Sequence, residues 1–256
     1  TVSTRGAGQT TRTAQLADIQ FGEYHALVIG NSEYQELPRL DDAAEDAQAV
    51  ADLLRARYGF EVTLLLDADR FAILSALNDL REDLDPNDNL LVYYAGHGAR
   101  NASGQTAYWQ PIDAKPRSLV NWIPNELITE HLDLIPAKHV FVVADSVYSG
   151  LRTRAAVARL PRGMTAEERY FHIKLLLEKR TRLVLAGGED LAEQTDTDFA
   201  ASFLSVLETN DGVLEASRLY TEMNDRLASQ ADLEFAPMKW ARGDVSDFFF
   251  VPAAAR

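Results

Sequence analysis

The chain contains no cysteine. That absence excludes disulfide staples, zinc–thiolate centres and any cysteine nucleophile. Long apolar runs are missing as well. Nothing approaches the roughly 18 residues that cross a bilayer, so no membrane-spanning segment is expected and the chain reads as soluble. Basic residues are in the minority, with 25 Lys and Arg against 39 Asp and Glu, for a formal charge of −14. A surface of that sign repels a phosphate backbone, which argues against general nucleic-acid binding and favours a cationic ligand or peptide. Phosphate-cradling glycine loops are absent too, Gly187-Gly188 being too short a signal to count. There is no signal-peptide pattern, and the first residue is Thr1 rather than Met, so a processed or partial product is expected. Without thiols, redox chemistry assigns no compartment.

What is present is an alternation of strand-like and helix-like segments over 256 residues, enough for one substantial core. Residues 1–20, rich in Thr, Ser, Gly and Gln, read as a flexible arm or the end of an upstream linker. Ala26 to Gly30 is a buried strand. A helix is predicted from about Asp42 to Tyr58, with Ala43, Ala47, Val50 and Leu54 on one face and a capping-box spacing from Asp42 to Glu45. Phe60 to Leu66 is the next strand, and a helix from about Arg70 turns Ile73, Leu74, Leu77, Leu80 and Leu84 inward. Leu90–Ala95 and His139–Ala144 are continuous apolar runs, the profile of parallel strands covered on both faces. Between them, 105–113 reads as a short hairpin or extended excursion and 121–135 holds a helix. Residues 151–164 are irregular and basic, carrying Arg152, Arg154, Arg159 and Arg162. A capping box, Thr165-x-x-Glu168, opens a further helix. Leu183–Ala186 is a strand, amphipathic helices fall near 198–209 and 213–228, and Asp247 to Val251 is expected as the closing strand. The reading is one α/β domain over 21–253, with a mainly parallel sheet between helices.

In such sheets functional groups gather where strands end. The run Leu90–Ala95 delivers Gly96-His97-Gly98, an imidazole between two glycines. His97 is a candidate general base or acid, and the Gly98 amide a candidate oxyanion donor. His25, His131, His139 and His172 sit at strand starts, element edges or on a helix and read as structural. The run ending at Ala144 delivers Asp145, Ser146 and Val147. Asp46 falls in the first turn of its helix, where the dipole favours an acid.

Tyr94-Ala95-Gly96-His97-Gly98, taken with Asp145-Ser146-Val147-Tyr148-Ser149-Gly150, resembles the caspase-like cysteine peptidases of the C14 type. The closest likeness is to the bacterial metacaspase-like branch, which commonly reads Asp-Ser-Cys-Tyr-Ser-Gly at the second motif. About 50 residues separate His97 from Val147, the interval between histidine and cysteine in caspases. Ala26–Asn31, Asp46-Ala47 and Trp109–Ala114 are similar in quality, so the resemblance covers roughly 23–251. It implies a three-layer α/β/α fold around a six-stranded sheet of order 2-1-3-4-5-6, the last strand antiparallel, with residues 247–251 in the closing place. It also implies that Asp46 and Asp145 line a pocket for Arg or Lys, since carboxylates fork onto a guanidinium and attract an ammonium. The oxyanion hole falls to the amides of Gly98 and Val147. The arginine run lies where such enzymes cut themselves. No cofactor is expected; the calcium dependence of some members finds no matching acidic cluster here.

The departure is at Val147, which stands at the nucleophile's position and has no lone pair or acidic proton. Valine is close to cysteine in size, so the fold is expected to survive. The expectation is a pseudopeptidase that keeps His97 and an acidic pocket, binds Arg/Lys peptides or regulates an active relative, and leaves its arginine run intact. The alternative is an inactivated variant of an active Arg/Lys endopeptidase. From other classes come an α/β small-molecule binder using the same strand ends, and a hydrolase using Ser146 or Ser149 with His97. Against Ser146, neighbouring side chains of an extended segment point opposite ways.

Overall fold

Three apolar runs set the architecture. β1 (Tyr24–Gly30), β3 (Asn89–Ala95) and β7 (His139–Val147) lie side by side in parallel, and their central residues are fully buried. The computed structural model describes residues 18–101, 103–104, 106–147, 157–161, 163–187, 199–227, 233–239 and 241–256, with Val147 described by its backbone. β2 (Glu61–Leu66) pairs parallel with β1, β8 (Thr181–Gly187) pairs parallel with β7, and β10 (Glu234–Pro237) pairs antiparallel with β8. Among the described residues these make a six-stranded sheet of order β2-β1-β3-β7-β8-β10, with the expected order and the expected antiparallel edge.

The segment filling that edge is not the expected one. Residues 247–251 do not close the sheet: Phe249–Phe250 forms β11, which pairs with β9 (Leu214–Glu215) in a separate two-stranded sheet. Phe248, Phe249 and Phe250 are all buried, and three consecutive aromatic rings need cover on every side rather than one face of an edge strand. Asp247 anchors them. Its carboxylate accepts the N–H and hydroxyl of Ser217, at the start of α6 (Ala216–Leu227), and the N–H of Phe248.

Helices cover both faces, each sealing one core. α1 (Ala43–Tyr58), α4 (Ala166–Leu177), α5 (Phe199–Thr209) and α6 lie over Val28, Leu91, Tyr93, Phe141 and Val143. α2 (Arg70–Asp83) and α3 (Asn125–Leu134) lie over Leu27, Leu90, Val92, Tyr94 and Val142. Strand alternation thus sends Tyr93 and Tyr94 to opposite sides of the sheet. The 105–113 excursion is part of a three-stranded antiparallel sheet of β4 (Gly98–Arg100), β5 (Ala107–Trp109) and β6 (Ile123–Pro124).

Three local expectations are corrected. Asp42 occupies the N-cap of α1 without a side-chain bond; the Ser32 hydroxyl, brought from the loop after β1, accepts the Ala44 N–H instead. Leu74 and Leu80 of α2 are half-buried, while Ile73, Leu77 and Leu84 are buried. Ile19, within the expected arm, packs with Phe21 into the core. The Thr165–Glu168 capping box is present.

α1 can approach β1 because Gly30 has no side chain. A Cβ there would sit 2.5 Å from the Ala47 Cβ and 2.6 Å from the Ala43 carbonyl oxygen. Gly30→Ala is therefore expected to cost about 1–3 kcal/mol through overpacking. Urea denaturation measures this, and an unchanged midpoint would show that α1 is not seated on this residue.

Candidate functional site

The parallel register aligns Gly30, Ala95 and Asp145 in one row at the C-terminal ends of β1, β3 and β7. His97 lies two residues beyond Ala95, and Val147 two residues beyond Asp145. Between Ala144 and Val147 the pairing of β7 with β8 shifts. Ala144 faces Ala186 and Val147 faces Gly187, so Asp145 and Ser146 form a bulge. Bulges re-aim side chains at strand ends. Tyr148, Ser149 and Gly150, and Arg152, Arg154 and Arg162 of the basic run, lie outside the described residues; Arg159 is exposed.

The His97 turn is held by two tyrosines. The Tyr34 hydroxyl accepts the His97 N–H at 2.7 Å, and its ring packs on the imidazole with centroids 4.6 Å apart. The Tyr94 hydroxyl donates to the His97 carbonyl at 2.8 Å. Gly96 fits between them, since a Cβ there would meet the two hydroxyl oxygens at 2.7 and 2.9 Å. The first glycine of the motif is thus a packing requirement. Sequence reasoning missed Tyr34, which comes from a loop with no periodic signal.

The imidazole itself is committed at one nitrogen. His97 Nε2 lies 2.8 Å from the Pro38 carbonyl oxygen, which can only accept, so Nε2 carries the proton and Nδ1 presents a lone pair. Burial lowers the His97 pKa, partly offset by the Pro38 carbonyl, which favours the neutral base. Gly98 is placed differently. The Gln110 N–H donates to the His97 carbonyl at 3.0 Å, which makes Gly98 and Trp109 a non-hydrogen-bonded pair of the β4–β5 ladder. The Gly98 N–H therefore lies outside that ladder. β4 and β5 both rest against β7.

The two acids come together. α1, seated on Gly30, carries Asp46 one residue before the buried Ala47. Asp145 is pushed up to about 7, chiefly by burial and then by the Asp46 charge. Asp46 is pushed up to about 6 by burial and by Asp42 and Glu45. Two carboxylates in low dielectric, with no cation acting on them among the described residues, resist double ionisation. Ser146 does not join His97: its hydroxyl is buried and has no hydrogen-bond partner among the described residues. The histidines read as structural behave so in the case of His139, whose ring is buried between Thr181 and the Leu177 carbonyl. Among the described residues no helix is long and apolar enough to cross a membrane.

The family model of the caspase domain matches residues 23–166. The mucosa-associated lymphoid tissue lymphoma translocation protein 1 of Homo sapiens is 36% identical over 89 residues, 35% of this chain and 10% of that protein. Its homolog in Mus musculus matches to the same extent. The chain thus spans about a tenth of the length of the curated relatives it matches. Among solved structures, protein GSU0716 from Geobacter sulfurreducens superposes with a TM-score of 0.59 at 17% identity, over 89% of this chain and 100% of that one. At that identity the likeness establishes the fold.

A raised carboxylate pKa means that the native state holds its proton more tightly than the unfolded chain. Stability therefore falls as pH rises from about 4 through about 7. Asp145→Asn removes this strain and is expected to raise the melting temperature by roughly 5 °C at pH 8. The gain should shrink steadily as pH falls towards 4. Equal melting curves at pH 8 would mean that Asp145 is not electrostatically strained.

Proposed function

The chain belongs to the caspase-domain family, and from that membership we propose that it is a metacaspase-like pseudopeptidase, a binding domain for Arg- or Lys-containing peptides. The observation that carries this reading is that the Asp46 charge acts on the buried Asp145, with no cation acting on either among the described residues, at a strand end level with Ala95, two residues before His97. A guanidinium or ammonium in that pocket would restore both carboxylates to their ordinary range and remove the strain between them. With valine at position 147 there is no electron pair to attack the peptide carbonyl, so the bound peptide is held and released uncut. The motif Asp145-Ser146-Val147-Tyr148-Ser149-Gly150, one residue away from the branch's usual form, supports placing it in the bacterial metacaspase-like group.

A second reading, an inactivated form of an active Arg/Lys endopeptidase, is favoured by the state of the remaining machinery. His97 keeps a neutral imidazole with Nδ1 available, and the Gly98 amide lies outside the β4–β5 ladder. Both are what a thiol nucleophile would need: a base for its proton and a donor for the oxyanion. The Ser146 hydrolase reading has no comparable support, because His97 and Ser146 share no hydrogen bond.

Val147→Cys separates the two. If the scaffold is a latent protease, the variant cleaves fluorogenic Arg or Lys peptides at a rate on the order of 10⁴ or more above the native chain, and adding His97→Ala removes the gain. If V147C stays inert while Arg peptides still bind, the pseudopeptidase reading stands. If the native chain binds neither Arg nor Lys peptides, the pocket reading is lost.

A further inference from the structure

One side of α2 is buried through Ile73 and Leu77. The same helix carries a second stripe: Phe71, Leu74, Ser75 and Asn78 follow at i, i+3, i+4 and i+7. All four line a cavity of about 500 Å³, to which the connection between β5 and β6 contributes Asp113 and Asn121. Phe71 is 80% exposed, and so, to 79%, is Val120, the residue before Asn121. A lone exposed apolar side chain is ordinary. Here Phe71 and Leu74 share a cavity with the residue that follows the exposed Leu119 and Val120, which makes a patch. The groove is held in shape by bonds between its two sides. The Asp113 carboxylate accepts the Arg70 N–H at 3.3 Å and the Asn121 amide at 2.8 Å. The Arg70 guanidinium donates to the Trp122 carbonyl at 2.6 Å, and the Ile112 N–H to the Ala68 carbonyl at 3.0 Å. A preformed groove loses little entropy when it is filled.

Charge selects the occupant. Among the described residues, the charged side chains lining the groove are those of Asp69, Asp79, Asp113 and Arg70. Asp69 and Asp113 accept bonds from the Ala72 and Arg70 N–H groups and from the Asn121 amide, none of them cationic. The guanidinium is turned to the Trp122 carbonyl. A wall of that sign repels anionic lipid headgroups and a nucleic-acid backbone alike. We propose that this groove docks a protein segment in which a large apolar side chain is flanked by Lys or Arg. The apolar side chain covers Phe71 and Leu74, and the basic ones meet the three carboxylates. α2 and α1 cover opposite faces of the sheet, so docking here is separate from the Asp46–Asp145 pocket and stands whether or not that pocket binds.

The test is fluorescence anisotropy of the native chain with a fluorescein-labelled Lys-Arg-Leu-Phe-Arg-Lys peptide. Two control peptides carry Ser in place of Leu and Phe, or Glu in place of Lys and Arg. The first peptide is expected to bind, and each control to bind about tenfold more weakly. Phe71→Ser should weaken the first peptide about tenfold, the worth of burying one large apolar side chain. The ring is exposed, so F71S should melt within about 2 °C of the native chain. Asp79→Lys should weaken binding about fivefold at low salt, a difference that fades at about 0.5 M salt. Asp145→Asn should leave the affinity within about twofold. A native chain that does not bind the first peptide, or binding that F71S leaves unchanged, overturns the groove. Binding that survives F71S and D79K but is lost in D145N puts the peptide in the acid pocket, and the groove is overturned with the pocket left standing. If sedimentation shows the native chain self-associating and F71S monomeric, the occupant is a second copy and the basic segment is the wrong assignment.

Discussion

The contact on which the site depends is the seating of α1 on β1 at Gly30. Without a side chain there, the helix backbone descends onto the strand, and Ala43 and Ala47 fill the space a Cβ would take. Asp46 rides on that helix, so its distance from Asp145 follows from how closely two backbones can approach. The β1–β3–β7 register then places Gly30, Ala95 and Asp145 in one row. Among the described residues no countercharge acts on the acids, so their repulsion is carried by the large apolar cores on both faces of the sheet. A strained polar site in an otherwise consistent fold is the usual mark of function.

The same economy governs the histidine turn. Parallel strands end with their backbone groups exposed, and something has to bond them. Here Tyr34, Tyr94 and Gln110 satisfy the His97 amide and carbonyl, while the Pro38 carbonyl orients the ring. The imidazole is thereby fixed in one tautomer before any ligand arrives.

Much of this was legible in the sequence for a definite reason. Strands covered on both faces must be apolar at every position, so Leu90–Ala95 and Val140–Ala144 announce themselves, and the polar residues that follow them mark the strand ends. The closing strand was misplaced because Phe248–Phe250 carries a stronger strand signature than Glu234-Phe235-Ala236-Pro237. An edge strand needs bonds on one side only and so tolerates proline, which hides it from pattern reading. The Ser32 cap and the Tyr34 contact were invisible because both come from a loop whose path is set by tertiary bonds, among them the two from Asp67 to the Ser32 and Glu33 amides.

The face-to-face stack of Tyr94 on Trp109, 4.2 Å between centroids and 2° from coplanar, couples the small sheet to the histidine turn. Since the Tyr94 hydroxyl holds the His97 carbonyl, any shift of the turn must disturb the indole beneath it. The Trp109 indole thus serves as a built-in optical reporter of the histidine turn.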